Sequence, residues 1–215
     1  MHTLRSLAVA LALVTGAAQA SAQLATFDDL AGCTPDNYYG VLVDNGYSGF
    51  NWSNFYVTDG LAAATTHGGP GYNNGAITRP CVALNGFGAA SEITSSTAFT
   101  FNGGYFTAAY QDGLSVMISG FSGTTQVFSQ MLSLNTGGPL LWNVNWTGVD
   151  RVRFESGDGQ PGSQFVFDNF RFNNTPDPSI PTVTPEPASL LLLGTGLAGV
   201  VARRGRRRKN TMTDP

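Results

Sequence analysis

Between Leu24 and Asn173, apolar and polar residues alternate in short runs. In LSVMISGF, Leu114, Val116 and Ile118 share one face, with Ser115, Met117 and Ser119 opposite. In VDRVRFES, Val152 and Phe154 alternate with Arg151, Arg153 and Glu155. A period of two is what a half-buried antiparallel strand requires. Further aromatic-rich runs recur, among them GFNWSNFYV, TAFTF, GYFTAAYQ, PLLWNVNW and QFVFDNFRF. Glycine-rich breaks such as Asn102-Gly103-Gly104, Asp112-Gly113, Ser122-Gly123 and Thr136-Gly137-Gly138 separate many of them. This spacing predicts an all-β domain over 23–173, an antiparallel jelly roll or β-sandwich with almost nothing helical.

Both ends depart from that pattern. At the start, Arg5 precedes an apolar stretch from Leu7 to Val14, followed by Ala18-Gln19-Ala20 and Ala20-Ser21-Ala22. This is the layout of a secretory signal peptide over 1–22, with cleavage expected after Ala20 or Ala22. After Phe172, five prolines fall within the fifteen residues NNTPDPSIPTVTPEP. Proline lacks the ladder donor and favours extended chain, so 174–184 reads as a linker. Ala188–Ala202 is then a run of fifteen uncharged residues, about 22 Å long as a helix. It is short for a bilayer core of about 30 Å, and Gly194, Gly196 and Gly199 weaken it further. The expectation is a single transmembrane helix that holds only for a time. Arg203, Arg204, Arg206, Arg207 and Arg208 fix its cytoplasmic end.

Charge sharpens this division. Segment 23–187 holds four arginines against thirteen acids, a net charge of −9, while six of the remaining basic residues crowd into the tail. An exported body so acidic is a poor partner for nucleic acid, whose binding rests on neutralising phosphates. Cys33 and Cys81 are the only cysteines, and in an oxidising compartment they are most simply a disulfide.

Val183-Thr184-Pro185-Glu186-Pro187, the short apolar run and the arginine block resemble, in that order, the PEP-CTERM sorting signal of Gram-negative bacteria. The resemblance covers the tail through 185–210. It implies an exosortase as processing partner, a membrane protease-transpeptidase acting at or near Pro185, Glu186 and Pro187. It also implies frequent association with exopolysaccharide. The body is similar to a β-sandwich ectodomain found ahead of such tails, through TFDDL, GFNWSNFYV, DGLSVMISGF, LWNVNWTGVDRVRF and FVFDNFRF. That likeness carries no activity with it.

Candidate chemistry in the body is sparse. His67, in THGGPGYNNG, is the only histidine after the signal peptide. A base of this kind needs an orienting acid, and no motif supplies one. Asp28-Asp29 is no glycosidase pair, because adjacent strand residues face opposite ways. Asp168, however, alternates with Val166, Phe170 and Phe172, and Asp28 alternates with Leu24, Thr26 and Leu30. If the first and last strands are neighbours, Asp28, Asp29 and Asp168 approach one another. Calcium accepts such oxygens, so they form a candidate structural Ca2+ site; the competing reading has them bonded to turn amides. Asp158, in SGDGQPG, reads as a turn. Tyr38, Tyr39, Tyr47, Trp52, Tyr56, Tyr72 and Trp146 offer rings for sugar stacking, although Trp52 shares a face with Phe50 and Tyr56, as a core residue also does.

The expectation is a non-enzymatic surface or matrix protein. It is anchored transiently in the inner membrane with its ectodomain outside, then released to the cell surface or beyond. A carbohydrate-binding module of the same matrix is the alternative, and a secreted hydrolase a third.

Overall fold

Among the described residues the alternation of period two becomes ten strands, and the stretch 60–74 becomes two short helices. The computed structural model describes residues 23–157, 159–160 and 162–173. The stretches expected as signal peptide and linker, the sorting motif with its apolar run, and Asp158 lie outside the described residues. Among the described residues, no helix is long and apolar enough to cross a membrane.

The strands are β1 (Gln23–Ala25), β2 (Val41–Leu42), β3 (Asn51–Ser53), β4 (Phe55–Asp59), β5 (Cys81–Asn85), β6 (Ser91–Ala108), β7 (Leu114–Ser122), β8 (Thr125–Leu134), β9 (Leu140–Glu155) and β10 (Phe165–Phe172). Helices α1 (Gly60–His67) and α2 (Pro70–Asn74) fall between β4 and β5. The sheet runs β2-β4-β5-β10-β6-β9-β7-β8, with β1 added to β10 and β3 added to β6. Every pairing is antiparallel.

This sheet is folded on itself. β4 and β9 stand four steps apart in strand order, about 19 Å on a flat sheet at ~4.8 Å per step. Yet the rings of Phe55 on β4 and Phe154 on β9 are 5.6 Å apart. The two halves therefore face each other across one core, which is a β-sandwich. That core is phenylalanine-rich: Phe55, Phe101, Phe106, Phe154, Phe167 and Phe170 are all fully buried. Burying one such ring contributes roughly 1.5–3 kcal/mol.

Several expected breaks are absent. Asn102-Gly103-Gly104 lies inside the continuous strand β6. Gly103, at φ 107°, leaves no room for a Cβ against the Trp142 carbonyl, and the pairing with β9 shifts register there. This is a bulge that bends a long strand rather than ending it. PLLWNVNW and VDRVRFES likewise form one strand, β9.

Other expectations need correction. The stretch after β4 is helical, because Asp59 caps α1 by accepting from the Ala62 amide at 2.7 Å. Gly68 ends that helix in the left-handed region, and Pro70 opens the next. Asp28 is not on a strand: β1 stops at Ala25 and Phe27 turns the chain at φ 66°. GFNWSNFYV is broken at Asn54 (φ 56°), so Trp52 and Tyr56 do not share a face.

Candidate functional site

The sheet half containing β4, β5 and β10 presents a second face to α1 and α2. Phe55 and Val57 point into the main core, while Tyr56 and Thr58 alternate outward. Ala63 and Tyr72 of the helices meet Val82, Leu84, Ala109 and Val166 in a smaller apolar cluster. Helix α2 lies directly on the chain because Gly71 offers no Cβ to clash with the Ala108 carbonyl.

Where this cover ends, a cleft of about 180 Å3 opens. Tyr38, Tyr39 and His67 form one wall, Tyr56 and Phe87 another, and Tyr72 and Tyr110 lie among its lining residues. The Tyr38 and Tyr39 rings are 4.5 Å apart, with His67 at 5.5 Å from Tyr39. His67 Nε2 lies 2.8 Å from the Tyr38 carbonyl; since a carbonyl only accepts, that nitrogen carries the proton. Phe87 meets Tyr56 edge-on at 5.9 Å. Its neighbour Gly86 is needed there, because a Cβ would strike the Tyr56 ring. Tyr39 is 77% exposed and Phe87 72%. Phe87 is also held at φ 56°, a region bulky side chains avoid.

Below them, the Tyr72 hydroxyl donates to that of Tyr110 at 3.3 Å. Burial, then this bond, pushes the Tyr72 phenol well above its ordinary range. Gln164 also lines the cleft, and its Oε1 is buried without a hydrogen-bond partner. Among the described lining residues there is no Asp, Glu, Lys or Arg.

The candidate calcium ligands lie elsewhere. β1 pairs with β10, so the first and last strands are neighbours. Asp168 is fully buried. Its Oδ2 accepts from the amides of Ile77 at 2.7 Å and Thr78 at 3.0 Å, and its Oδ1 from Asn169 at 2.6 Å. Burial raises its pKa to about 8 against those donors, with the Asp28 charge adding to the rise. Asp28 Oδ1 accepts from the Cys81 amide at 2.8 Å. Asp29 Oδ1 instead receives the Tyr47 hydroxyl at 2.8 Å, and burial and Asp29 together raise that phenol's pKa. Cys33 and Cys81 are joined in a disulfide. Their sulfurs lie within 4.8 Å of an Asp28 oxygen, but as a disulfide they offer no thiolate. Asp28, Asp168 and the disulfide thus hold one loop, 77–81, against β10 and the 28–33 turn.

Of the aromatics offered for sugar stacking, the structure divides the set. Trp52 and Trp146 are buried in the main core, and Tyr47 packs against it. Tyr38, Tyr39, Tyr56 and Tyr72 line the cleft. Sequence reasoning missed Phe87, Tyr110 and Gln164. Phe87 had a signal, since a large ring between two glycines in NGFGA has little to pack against. Pro185, Glu186, Pro187 and the tail arginines are outside the described residues.

The body is therefore an antiparallel β-sandwich module with an aromatic cleft on its outer face. The family model of the PEP-CTERM protein-sorting motif matches residues 183–208. The chain carries this motif, which directs an exported protein to the surface. No curated protein matches the chain. Among solved structures, one similar chain is that of TmCBM61 in complex with beta-1,4-galactotriose, at 10% identity and a TM-score of 0.34, covering 63% of this chain and 97% of that one.

Proposed function

We propose that the chain is a non-catalytic surface or matrix protein, processed by an exosortase, whose β body holds glycan of the surrounding exopolysaccharide in the aromatic cleft. The proposed segments are the signal peptide 1–22, the ectodomain 23–173, the linker 174–184 and the sorting signal 185–210. On this reading the apolar helix stops in the inner membrane with its arginines inside, and cleavage at or near Pro185-Glu186-Pro187 releases the ectodomain outward.

The observation that carries the glycan reading is the pair of rings, Tyr39 and Phe87, held in solvent at one cleft. Burying either would be favourable, and the fold leaves them exposed, as a surface awaiting a flat apolar partner does. Sugar rings offer such a face with hydroxyls around it. Catalysis gains no support from His67, whose hydrogen-bond and ring partners are a carbonyl and two tyrosines rather than an acid.

Two measurements test the two halves. The intact mass of the protein from cells with and without exosortase should differ by loss of the tail. A C-terminus keeping Arg203 to Lys209 in both overturns the sorting reading. Full-length protein should also be retained by exopolysaccharide purified from the producing cells. Free passage overturns the glycan reading.

A further inference from the structure

We infer that the cleft selects an uncharged, hydroxyl-rich glycan, one ring of which sits between Tyr39 and Phe87 while a hydroxyl donates to Gln164 Oε1; this rests on the glycan reading above. Three observations point the same way. The first is charge. Acidic sugars are held by arginine or lysine, which pair with carboxylates and sulfates through charged donors. Among the described lining residues the cleft has none. The arginines of the body are committed elsewhere: Arg151 and Arg153 pair with Glu92, Arg79 donates to Asn73, and Arg171 donates to Asn143. At a net charge of −9 over 23–187, the body also repels polyanions before contact.

The second observation is the Gln164 oxygen. A buried acceptor left unmet is costly, and native folds rarely keep one without a reason. A sugar hydroxyl donates and accepts at once, so it meets this amide once the half-buried Gln164 side chain turns its shielded oxygen toward the cleft it lines. The third is size. At about 180 Å3 the cleft falls below the ~300–1,000 Å3 of whole-ligand pockets. It takes one ring, with the remaining chain lying over exposed Tyr39 or Phe87.

Native affinity electrophoresis of the full-length protein tests this. The gels contain a β-glucan, a mannan or a xylan as neutral polymers, and polygalacturonate or alginate as acidic ones. The expected result is retardation by at least one neutral polymer and none by the acidic pair. Phe87→Ala and Tyr39→Ala should each weaken it roughly three- to tenfold, and Gln164→Leu about fivefold. Both rings are exposed, so the variants stay folded, and the melting temperature falls by no more than a few degrees where Phe87→Ala gives up its contact with Tyr56. Equal or stronger retardation by the acidic polymers overturns the selectivity and leaves the glycan reading standing. Retardation by none overturns that reading itself. Neutral binding unaffected by all three substitutions moves the site away from this cleft.

Discussion

Trp52 and Tyr56 stand four residues apart in one run, and the chain sends their rings to opposite sides of the same sheet. Trp52 is 5% exposed. It is packed edge-on against Phe27, Phe55 and Phe170, and its indole N–H donates to the Tyr47 carbonyl at 3.0 Å. Tyr56 is half-buried, touching Phe87 at the cleft wall. The same residue class is structural on one face and available on the other. The difference lies in what covers it: a second layer of sheet inside, and two short helices that stop before the cleft outside.

The largest expected effect comes from breaking the inner set. Phe170 meets Phe50, Trp52, Phe101 and Phe172. Phe170→Ala should cost about 3–5 kcal/mol by lost transfer and residual cavity, read as a lower denaturation midpoint. Whatever fraction remains folded should bind glycan as before, because no Phe170 atom lines the cleft. A parallel loss of intrinsic affinity would show that the two aromatic regions are coupled.

Next comes the disulfide, which joins residues separated by 48 positions. Its removal by Cys33→Ser with Cys81→Ser should cost about 2–5 kcal/mol. The loop beside it holds Ile77 and Thr78 on Asp168 and leads back toward α2. Cys81 is itself buried in the main core, but the loop also ties to α1, whose Gly60 amide donates to the Pro80 carbonyl, so loosening reaches the helices as well. Hydrogen exchange should quicken in α1 and α2; unchanged exchange there would deny that link.

The acids at that loop give a smaller effect with a definite sign. The folded state raises the Asp168 pKa to about 8, above its unfolded value of about 3.9. The protonated form thus favours the folded state. Stability from this group is full below about pH 4 and falls as pH rises through about 8. In chelator, the melting temperature should fall across that window, and Asp168→Asn should flatten the curve. Calcium bound by Asp28, Asp29 and Asp168 would hold the carboxylate ionised and reverse the slope. A calcium-dependent rise at pH 8, lost in Asp168→Asn, establishes the ion. Superimposed curves with and without calcium assign these acids to the loop amides alone.

How far the sequence carried this division can be read from particular residues. Alternation placed Leu114, Val116, Ile118, Val152 and Phe154 inside, and all are buried. Period two works there because each strand has one wet face. It failed wherever a single backbone turn resets the phase. Asn54 at φ 56° separates Trp52 from Tyr56, Phe27 at φ 66° takes Asp28 off its strand, and Gly103 joins two apparent strands into one. Asparagine and glycine tolerate those dihedrals, but the letters alone do not say which ones use them. The cleft was legible only as a surplus of tyrosine. Its position depends on α1 and α2; the Asp59 cap of α1 and the Gly69-Pro70 start of α2 were hidden in a glycine-rich stretch that reads as loop.

Phe87 offers the smallest shift in stability and the sharpest contrast with Trp52. Its left-handed backbone costs about 1 kcal/mol or more, which glycine would relieve. Its edge-on contact with Tyr56 is worth about 0.5–1.5 kcal/mol, which glycine would lose. The two nearly cancel, so Phe87→Gly should move stability by no more than about 0.5 kcal/mol, or roughly 1–2 °C for a chain of this size. Glycan retardation should nonetheless fall at least as far as in Phe87→Ala. A core ring behaves the other way, with Trp52→Ala costing several kcal/mol and leaving the affinity of the folded protein intact. If Phe87→Gly instead destabilised the protein as Trp52→Ala does, the exposed ring would be a packing residue, and the division between the two aromatic faces would fail at the position where it is most visible.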